Sequence, residues 1–135
     1  MSDAKRAADR IVEPKIDQLM RGAMLEATRG IVEMTPVDTG RARNNWNASV
    51  RKPDLTEQGT VGDPVRRAQP VIAKVRFSDG EDGYLANGLE YIGVLEDGRV
   101  GNRGSLQAPN GMVRVTLNRL RPWLTAQARK IGRGF

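Results

Sequence analysis

The chain has 135 residues, a net charge of +6 and neither cysteine nor histidine. This length accommodates one domain with a modest core, and aromatic residues make up only 4% of the chain, so aliphatic side chains must supply most of that core. The lack of histidine and cysteine excludes Ser–His and Cys–His catalysis and most zinc sites. We therefore expect a single domain over residues 1–135 that has no catalytic, cofactor or metal site and is not an enzyme.

The sequence also bears on the compartment. No apolar run approaches the roughly 20 residues needed to span a bilayer, and the first ten residues lack the apolar centre of a signal peptide. The absence of cysteine fits a reducing compartment. These features predict a soluble protein that stays where it is made.

Acidic and basic residues are segregated in the second half of the chain. Residues 79–98 contain six acidic and no basic residues, whereas residues 99–135 contain eight basic and no acidic residues. A basic total favours contact with nucleic acid. Adjacent blocks of opposite charge favour head-to-tail self-association equally well. Both interpretations stay open at this point.

The first predicted element is an amphipathic helix from Lys15 to Met34. Its apolar residues step by three or four, which predicts an inner face and leaves the charged residues mostly outside; the inner face comprises Ile16, Met20, Ala23, Ala27, Ile31 and Met34, and the outer residues include Asp17 and Arg21. Pro14 suits the first turn of a helix. Residues 1–13 are then either a separate helical piece or a mobile arm.

A sharp corner follows in the stretch TPVDTGRARNNW, residues 35–46. Pro36 ends the helix, and Asp38 to Gly40 supply turn chemistry, with a positive φ plausible at Gly40. Arg41 and Arg43 either bind an anion, such as a phosphate or a partner's carboxylate, or face solvent while Trp46 fills the core.

The middle of the chain predicts two strands. Residues 46–50 alternate apolar and polar side chains, as a half-buried strand does. Residues 53–70 contain three prolines and two glycines and predict a long loop or β-arm. Residues 71–77 alternate again and predict a second strand.

The last third predicts a loop at residues 78–83, a short helix at 84–96 with Leu85, Leu89 and Ile92 inward, and an irregular segment at 97–105. Apolar residues then step by three or four from Val113 to Ile131, which predicts a second long helix. The fold class expected is α+β, with two longer amphipathic helices packed on a small, mainly antiparallel β-sheet with long loops.

Several sharper interpretations lack support. The acidic loop 78–83 lacks the ligand spacing of a calcium loop, and the glycine-rich segments lack the phosphate-loop pattern. Glu90 and Glu96 lie six residues apart, so their spacing does not predict an acid–base pair. The final helix spreads its basic residues around its circumference, and no DNA-binding motif is present.

Three segments occur in order along nearly the whole chain: TPVDTGRARNNW after a helix, YLANGLEY at 84–91, and SLQAPNGMVRVTLNRL at 105–120. Together they resemble the tail-completion and head–tail joining (neck) proteins of long-tailed bacteriophages. In that family a Pro-Val-Asp-Thr-Gly turn precedes Arg and Trp, a Tyr-Ala…Glu-Tyr segment follows, and a Gln-Ala-Pro…Gly-Met loop opens the last helix. The matching residues here are Pro36, Val37, Asp38, Thr39, Gly40, Arg41, Trp46, Tyr84, Ala86, Glu90, Tyr91, Gln107, Ala108, Pro109, Gly111 and Met112.

The resemblance implies a structural virion protein, made in the host cytoplasm, that forms a ring where the DNA-filled head meets the tail. A hexamer is the expected ring. Its partners would be further copies of itself, the adaptor or portal-side proteins and the tail-terminator or tail-tube proteins, and DNA would pass through without sequence-specific binding. No cofactor and no membrane are implied. The alternative is a small basic DNA-binding protein.

Charge segregation predicts where subunits or partners touch: the acidic block should meet basic residues of a neighbour across a boundary. The predicted interface residues are Arg41, Arg43, Glu90, Glu96, Arg99, Arg103, Arg114 and Arg119. A second set is expected to maintain the structure of the motifs, namely Pro36, Asp38, Gly40, Trp46, Gln107, Pro109 and Gly111.

Overall fold

The computed structural model describes residues 3–37, 40–90, 92–97 and 111–132. Helices pack on a two-stranded antiparallel sheet, which confirms the predicted α+β class. The elements in chain order are α1 (Asp3–Met34), α2 (Arg41–Asn44), β1 (Trp46–Val50), α3 (Pro64–Ile72), a 3-10 turn (Phe77–Asp79), β2 (Gly83–Asn87), α4 (Ile92–Asp97) and α5 (Val113–Gly132).

Helix α1 is longer than the sequence predicts, because it continues through Pro14 from Asp3. The expectation that Pro14 lies in the first turn is therefore wrong, and the preceding residues from Asp3 belong to the same helix.

The predicted inner face of α1 is also partly wrong. Ile16 and Met20 are each 40% exposed, whereas Asp17 is only 7% exposed. The reason is that α1 packs on two sides, against α5 and against α3 with the 3-10 turn, and Asp17 faces the latter.

The sheet consists of β1 and β2, whose register pairs Trp46 with Asn87 and Val50 with Gly83. The prediction of β1 is confirmed. The second strand lies at Gly83–Asn87 rather than at residues 71–77, so the prediction of a helix across 84–96 is wrong in its first half. Its second half contains α4.

Helix α3 replaces the end of the predicted loop and the start of the predicted strand. The Asp63 carboxylate accepts a hydrogen bond from the Arg66 amide at 3.0 Å, and Pro64 occupies the first turn. An aspartate cap followed by proline is a common start of a helix. Ala68 and Ile72, four residues apart, are then buried on one face.

The core lies where the end of α1, β1 and the start of α5 meet. Its buried members are Ile31, Val32, Trp46 and Met112. Partly buried side chains surround them, namely Met34, Val65, Leu85, Ile92 and Val113. The second long helix is confirmed as α5. None of the helices in the described ranges is long and apolar enough to cross a membrane.

Candidate partner-contact surfaces

The corner after α1 is anchored by a tryptophan. Trp46 is 6% exposed, and its indole N–H donates to the Thr35 hydroxyl at 2.9 Å. That hydroxyl donates in turn to the Ile31 carbonyl at 2.6 Å. The chain of hydrogen bonds fixes the first residue of β1 to the last turn of α1, as an anchor of the core requires.

Arg43 is engaged within this corner. Its guanidinium donates to the Glu33 carbonyl at 3.1 Å and to the Thr35 carbonyl at 3.1 and 3.2 Å. A cation at a helix C-terminus satisfies carbonyls that lack intrahelical partners and opposes the negative end of the helix dipole. Arg43 thus caps α1, and its role at an interface stays a prediction.

Gly40 immediately precedes α2 and has a φ of 73°. A β-carbon at this position would lie 2.6 Å from the Thr60 carbonyl oxygen, so both the backbone conformation and the space require glycine. Pro36 is buried directly after α1. Asp38, another residue of the predicted motif, lies outside the described residues.

Three asparagine side chains hold the loop between β1 and α3. Asn44 donates to the carbonyls of residues 58, 59 and 61 at 3.2 to 3.3 Å. Asn45 donates to the Gly59 carbonyl at 2.9 Å and accepts from the Gln58 amide at 2.6 Å. Asn47 donates to the carbonyls of residues 54 and 56 at 3.2 and 2.7 Å.

All three asparagines are buried, at 3%, 1% and 4% exposure for Asn44, Asn45 and Asn47. The Arg67 guanidinium stabilises the same region, because it donates to the backbone carbonyls of Asn44 at 2.6 Å and of Trp46 at 3.3 Å. Carboxamides can donate and accept together, which suits a loop whose backbone has no sheet partner. This network was not predicted, although three asparagines around one tryptophan were its signal.

Arg41 lies in a shallow cleft beside Glu57 and Glu90. Its Nε donates to the Glu57 carboxylate at 2.9 Å, and both side chains are exposed enough for solvent to weaken the pair. The cleft, about 210 Å³, is lined by Arg41, Glu57, Gly88, Leu89 and Glu90. Glu90 is exposed and forms no ion pair with the described part of the chain. Of the predicted interface residues, Arg41 and Glu90 are the two that share a surface cleft.

Glu96 stabilises the start of α5 within the chain. Its carboxylate accepts the backbone N–H groups of Met112, Val113 and Arg114 at 2.5, 2.8 and 3.1 Å. These are unpaired donors at the start of α5, so Glu96 caps this helix from α4 and places negative charge at its positive end. The Arg114 guanidinium lies 3.8 Å away. Glu96 therefore has a role inside the chain, and its place at a subunit boundary stays a prediction.

Three of the six acidic residues in the block form ion pairs within the described part of the chain. Asp79 pairs with Arg76 at 2.7 Å, and Glu81 lies 3.4 Å from Arg51. Glu81 also accepts the Arg76 backbone N–H at 2.8 Å. These three carboxylates, Asp79, Glu81 and Glu96, thus find cations on the same chain, which sequence order conceals.

The basic side chains of α5 are less evenly spread than the sequence suggests. Arg114, Arg121 and Arg129 lie seven and eight residues apart, which sets them within about 80° of one another around the helix. All three are exposed. Arg119 lies to the side, its guanidinium 3.8 Å from the Met34 sulfur. Arg99 and Arg103, and the motif residues Gln107 and Pro109, lie outside the described residues.

An apolar groove of about 360 Å³ runs between α1, β2 and α5. Met20, Met24, Leu85 and Leu124 are among its lining residues. In the described ranges there is no group of three or more acidic side chains that could hold a metal ion.

No family model, no curated protein and no solved structure matches this chain.

Proposed function

We propose that the chain is a structural protein of a bacteriophage neck, without enzymatic activity, that forms a ring between the DNA-filled head and the tail. The observation that carries the proposal is the convergence of three segments that resemble the neck proteins. They lie far apart in sequence, yet they meet around Trp46.

Contacts between these segments support their treatment as one unit. Trp46 of the first segment pairs in register with Asn87 of the second, whose carboxamide donates to the Ala42 carbonyl at 2.8 Å. Met112 of the third segment is fully buried in the same core cluster. Such convergence is expected if the motif residues maintain a scaffold.

The internal use of polar groups also favours a scaffold. Arg43, Glu96 and the three asparagines direct their side chains at backbone groups of the same subunit. A ring further requires two different complementary patches on each subunit, which close head to tail. The cleft of Arg41 and Glu90 and the apolar groove are two chemically different surfaces, and each would need its own complementary patch on a neighbour.

The test is genetic and structural. We expect deletion of the gene to yield filled heads and separate tails, and a plasmid copy to restore joined particles. Antibody against the chain, with gold labelling, should mark the head–tail junction. Normal particles after deletion, or joined particles without label at the junction, would refute the proposal.

A matched pair of variants refines the test. Glu90 and Asp82 are both exposed carboxylates without an ion pair among the described residues, but only Glu90 lines the cleft with Arg41. Glu90→Lys should lower complementation while the purified subunit keeps its melting temperature. Asp82→Lys should complement normally. Equal complementation by both variants would exclude this cleft from the boundary.

The alternative, a small basic DNA-binding protein, is favoured by the exposed arginines of α5. It predicts a chain that binds duplex DNA and is absent from particles. Mass measurement of the assembled form and of purified virions separates the two functions.

A further inference from the structure

The outward face of α5 carries an arginine stripe, formed by Arg114, Arg121 and Arg129. Asn118 and Thr125 lie between these arginines on the same face, and all five residues are exposed. No acidic residue occurs anywhere in α5. The stripe is therefore a continuous positive surface along most of the helix.

Two of the three arginines of this stripe have no counter-charge among the residues that the structure describes. Arg121 and Arg129 form no ion pair with any described residue. Arg114 lies beside Glu96, but that carboxylate already accepts the three N–H groups at the start of α5. Two further acids of the block, Asp79 and Glu81, pair with Arg76 and Arg51. Within the described part of the chain, Arg121 and Arg129 therefore remain available to an anionic partner.

The spacing suits a polyanion. Successive arginines of the stripe are separated by about 10 to 12 Å along the helix axis. Duplex DNA carries one charge per roughly 1.7 Å of its axis, and its major groove is about 12 Å wide, so arginines on one face can reach phosphates on both sides of a groove. Guanidinium groups bind phosphate oxygens in a bidentate manner, and Asn and Thr also donate to phosphates.

The composition of the stripe argues against an acidic protein as its partner. The centre of a protein interface needs apolar or aromatic anchors in desolvated pockets. Asn118 and Thr125, which lie between the arginines on this face, are polar, and the exposed Leu117 lies beside the face. A phosphate backbone needs no such anchor.

We propose that the arginine stripe binds the phosphate backbone of duplex DNA without reading its sequence. The inference rests on the proposed function for its setting only: in a neck ring, the stripe would face the DNA that passes through. Binding itself is a property of the purified chain.

The test uses the full chain and a short random-sequence duplex, with affinity measured by fluorescence anisotropy from about 50 to 200 mM NaCl, where phosphate contacts weaken steeply. The test variant is Arg121→Gln/Arg129→Gln, which leaves the cap at Glu96 intact. The control is Arg66→Gln/Lys74→Gln, which removes the same charge from exposed positions on α3 and just after it. Circular dichroism and melting temperature verify that both variants fold.

Each phosphate contact contributes about 0.9 to the slope of log affinity against log salt, so loss of two contacts should reduce the slope by about 2 and the affinity near 100 mM salt by at least roughly tenfold. The control should keep most of its affinity and slope. Equal losses in the two variants would show that net charge alone acts, and would overturn the proposal.

Two further results would also overturn it: absence of duplex binding by the unmodified chain at low salt, or a stripe variant that keeps its DNA affinity but loses association with an acidic protein of the particle. Failure of the neck assignment is distinguishable from these. It would show as absence of the unmodified chain from particles, whatever its affinity for DNA.

Discussion

Gly111 controls whether Glu96 can reach the start of α5. Its φ is +90°, and a β-carbon there would lie 2.7 Å from one Glu96 carboxylate oxygen. Two separate effects therefore oppose a larger residue: the backbone conformation, which side chains rarely adopt, and the contact with the carboxylate.

Gly80 allows these two effects to be separated. Its φ is +85°, but a β-carbon there would have no atom within 4 Å. Gly80→Ala should therefore cost only the backbone term, about 1 kcal/mol of unfolding free energy. Gly111→Ala should cost at least about twice as much, because the cap at α5 is disturbed as well. Urea unfolding measures both; equal losses would mean that Glu96 accommodates the methyl group without cost.

Individual residues could be predicted from sequence only where their partners are near in the chain. The turn at Gly40 depends on its own backbone, with a φ of 73°, and the anchor at Trp46 depends on a hydrogen bond to Thr35, 11 residues away. Glu96 and Asn44, in contrast, act on segments 16 or more and 14 or more residues away. Their residue types allow many roles, and only the folded backbone selects one.

At the scale of elements, α5 depends on a cap that α4 supplies. Glu96→Gln removes the negative charge from the α5 N-terminus but keeps the size of the side chain. We expect a loss of about 1 to 2 kcal/mol in unfolding free energy, since three backbone donors and the helix dipole lose a charged partner.

Glu90→Gln is the matched control for the cap. Glu90 is exposed and lies outside both α4 and α5. Its substitution should change unfolding free energy by less than about 0.5 kcal/mol. Chemical denaturation of the two variants side by side provides the comparison, and a Glu90→Gln loss as large as that of Glu96→Gln would contradict the assignment of the cap.

A second link between elements joins α1 to the 3-10 turn and depends on pH. The Asp17 carboxylate accepts the Ser78 backbone N–H at 2.9 Å and the Ser78 hydroxyl at 2.8 Å. The hydrogen bond from the Ser78 backbone is the main reason that the pKa of Asp17 lies below its ordinary value of 3.8; burial opposes it, and the Ser78 hydroxyl, Arg21 and Arg76 assist.

Because the pKa of Asp17 is lower in the folded than in the unfolded chain, the unfolded chain binds the proton more readily. This contribution to stability is complete above the ordinary pKa of 3.8 and is lost as pH falls through the lowered value. Asp17→Asn should therefore flatten the fall in unfolding free energy below about pH 4. Asp82→Asn, at an exposed carboxylate, should retain the original pH profile. Identical profiles for the two variants would contradict the prediction.

The elements that sequence predicted well are those whose own pattern determines them. The periodicity of α5, of the second part of α1 and of β1 was sufficient. The segment 71–77 alternates like a strand, but the cap at Asp63 and Pro64 starts a helix that extends to Ile72. β2 exists because it pairs with β1, a contact across more than 30 residues that local pattern does not encode.

For the whole molecule, the segregated charges have a different meaning from the one that sequence order suggests. Folding brings two acids of the block, Asp79 and Glu81, to Arg76 and Arg51, which precede the block in sequence, and brings Glu96 to the start of α5. Among the described residues, Arg121 and Arg129 of α5 form no ion pair. Pairing between blocks of neighbouring subunits stays a prediction, now concentrated on Glu90.

The two longest helices, α1 and α5, pack against each other, and Gly30 sets how closely they approach. A β-carbon at Gly30 of α1 would lie 2.5 Å from the Thr116 methyl group of α5. Thr116 is 4% exposed, and its hydroxyl has no hydrogen-bond partner in the described residues. The helices therefore touch closely at a point where one side lacks a side chain and the other presents a small one.

Gly30→Ala tests whether this contact determines the packing of α1 on α5. Alanine favours a helix over glycine by roughly 1 kcal/mol, but overpacking costs about 1 to 3 kcal/mol, so we expect a net loss of about 1 to 2 kcal/mol in unfolding free energy. In the helical control Gly93→Ala, where a β-carbon meets nothing within 4 Å, the propensity term acts alone and should stabilise. Gly30→Ala/Thr116→Ala moves the small residue across the interface and should recover most of the loss. If Gly30→Ala proves as stabilising as Gly93→Ala, the close contact at Gly30 does not determine how α1 packs on α5.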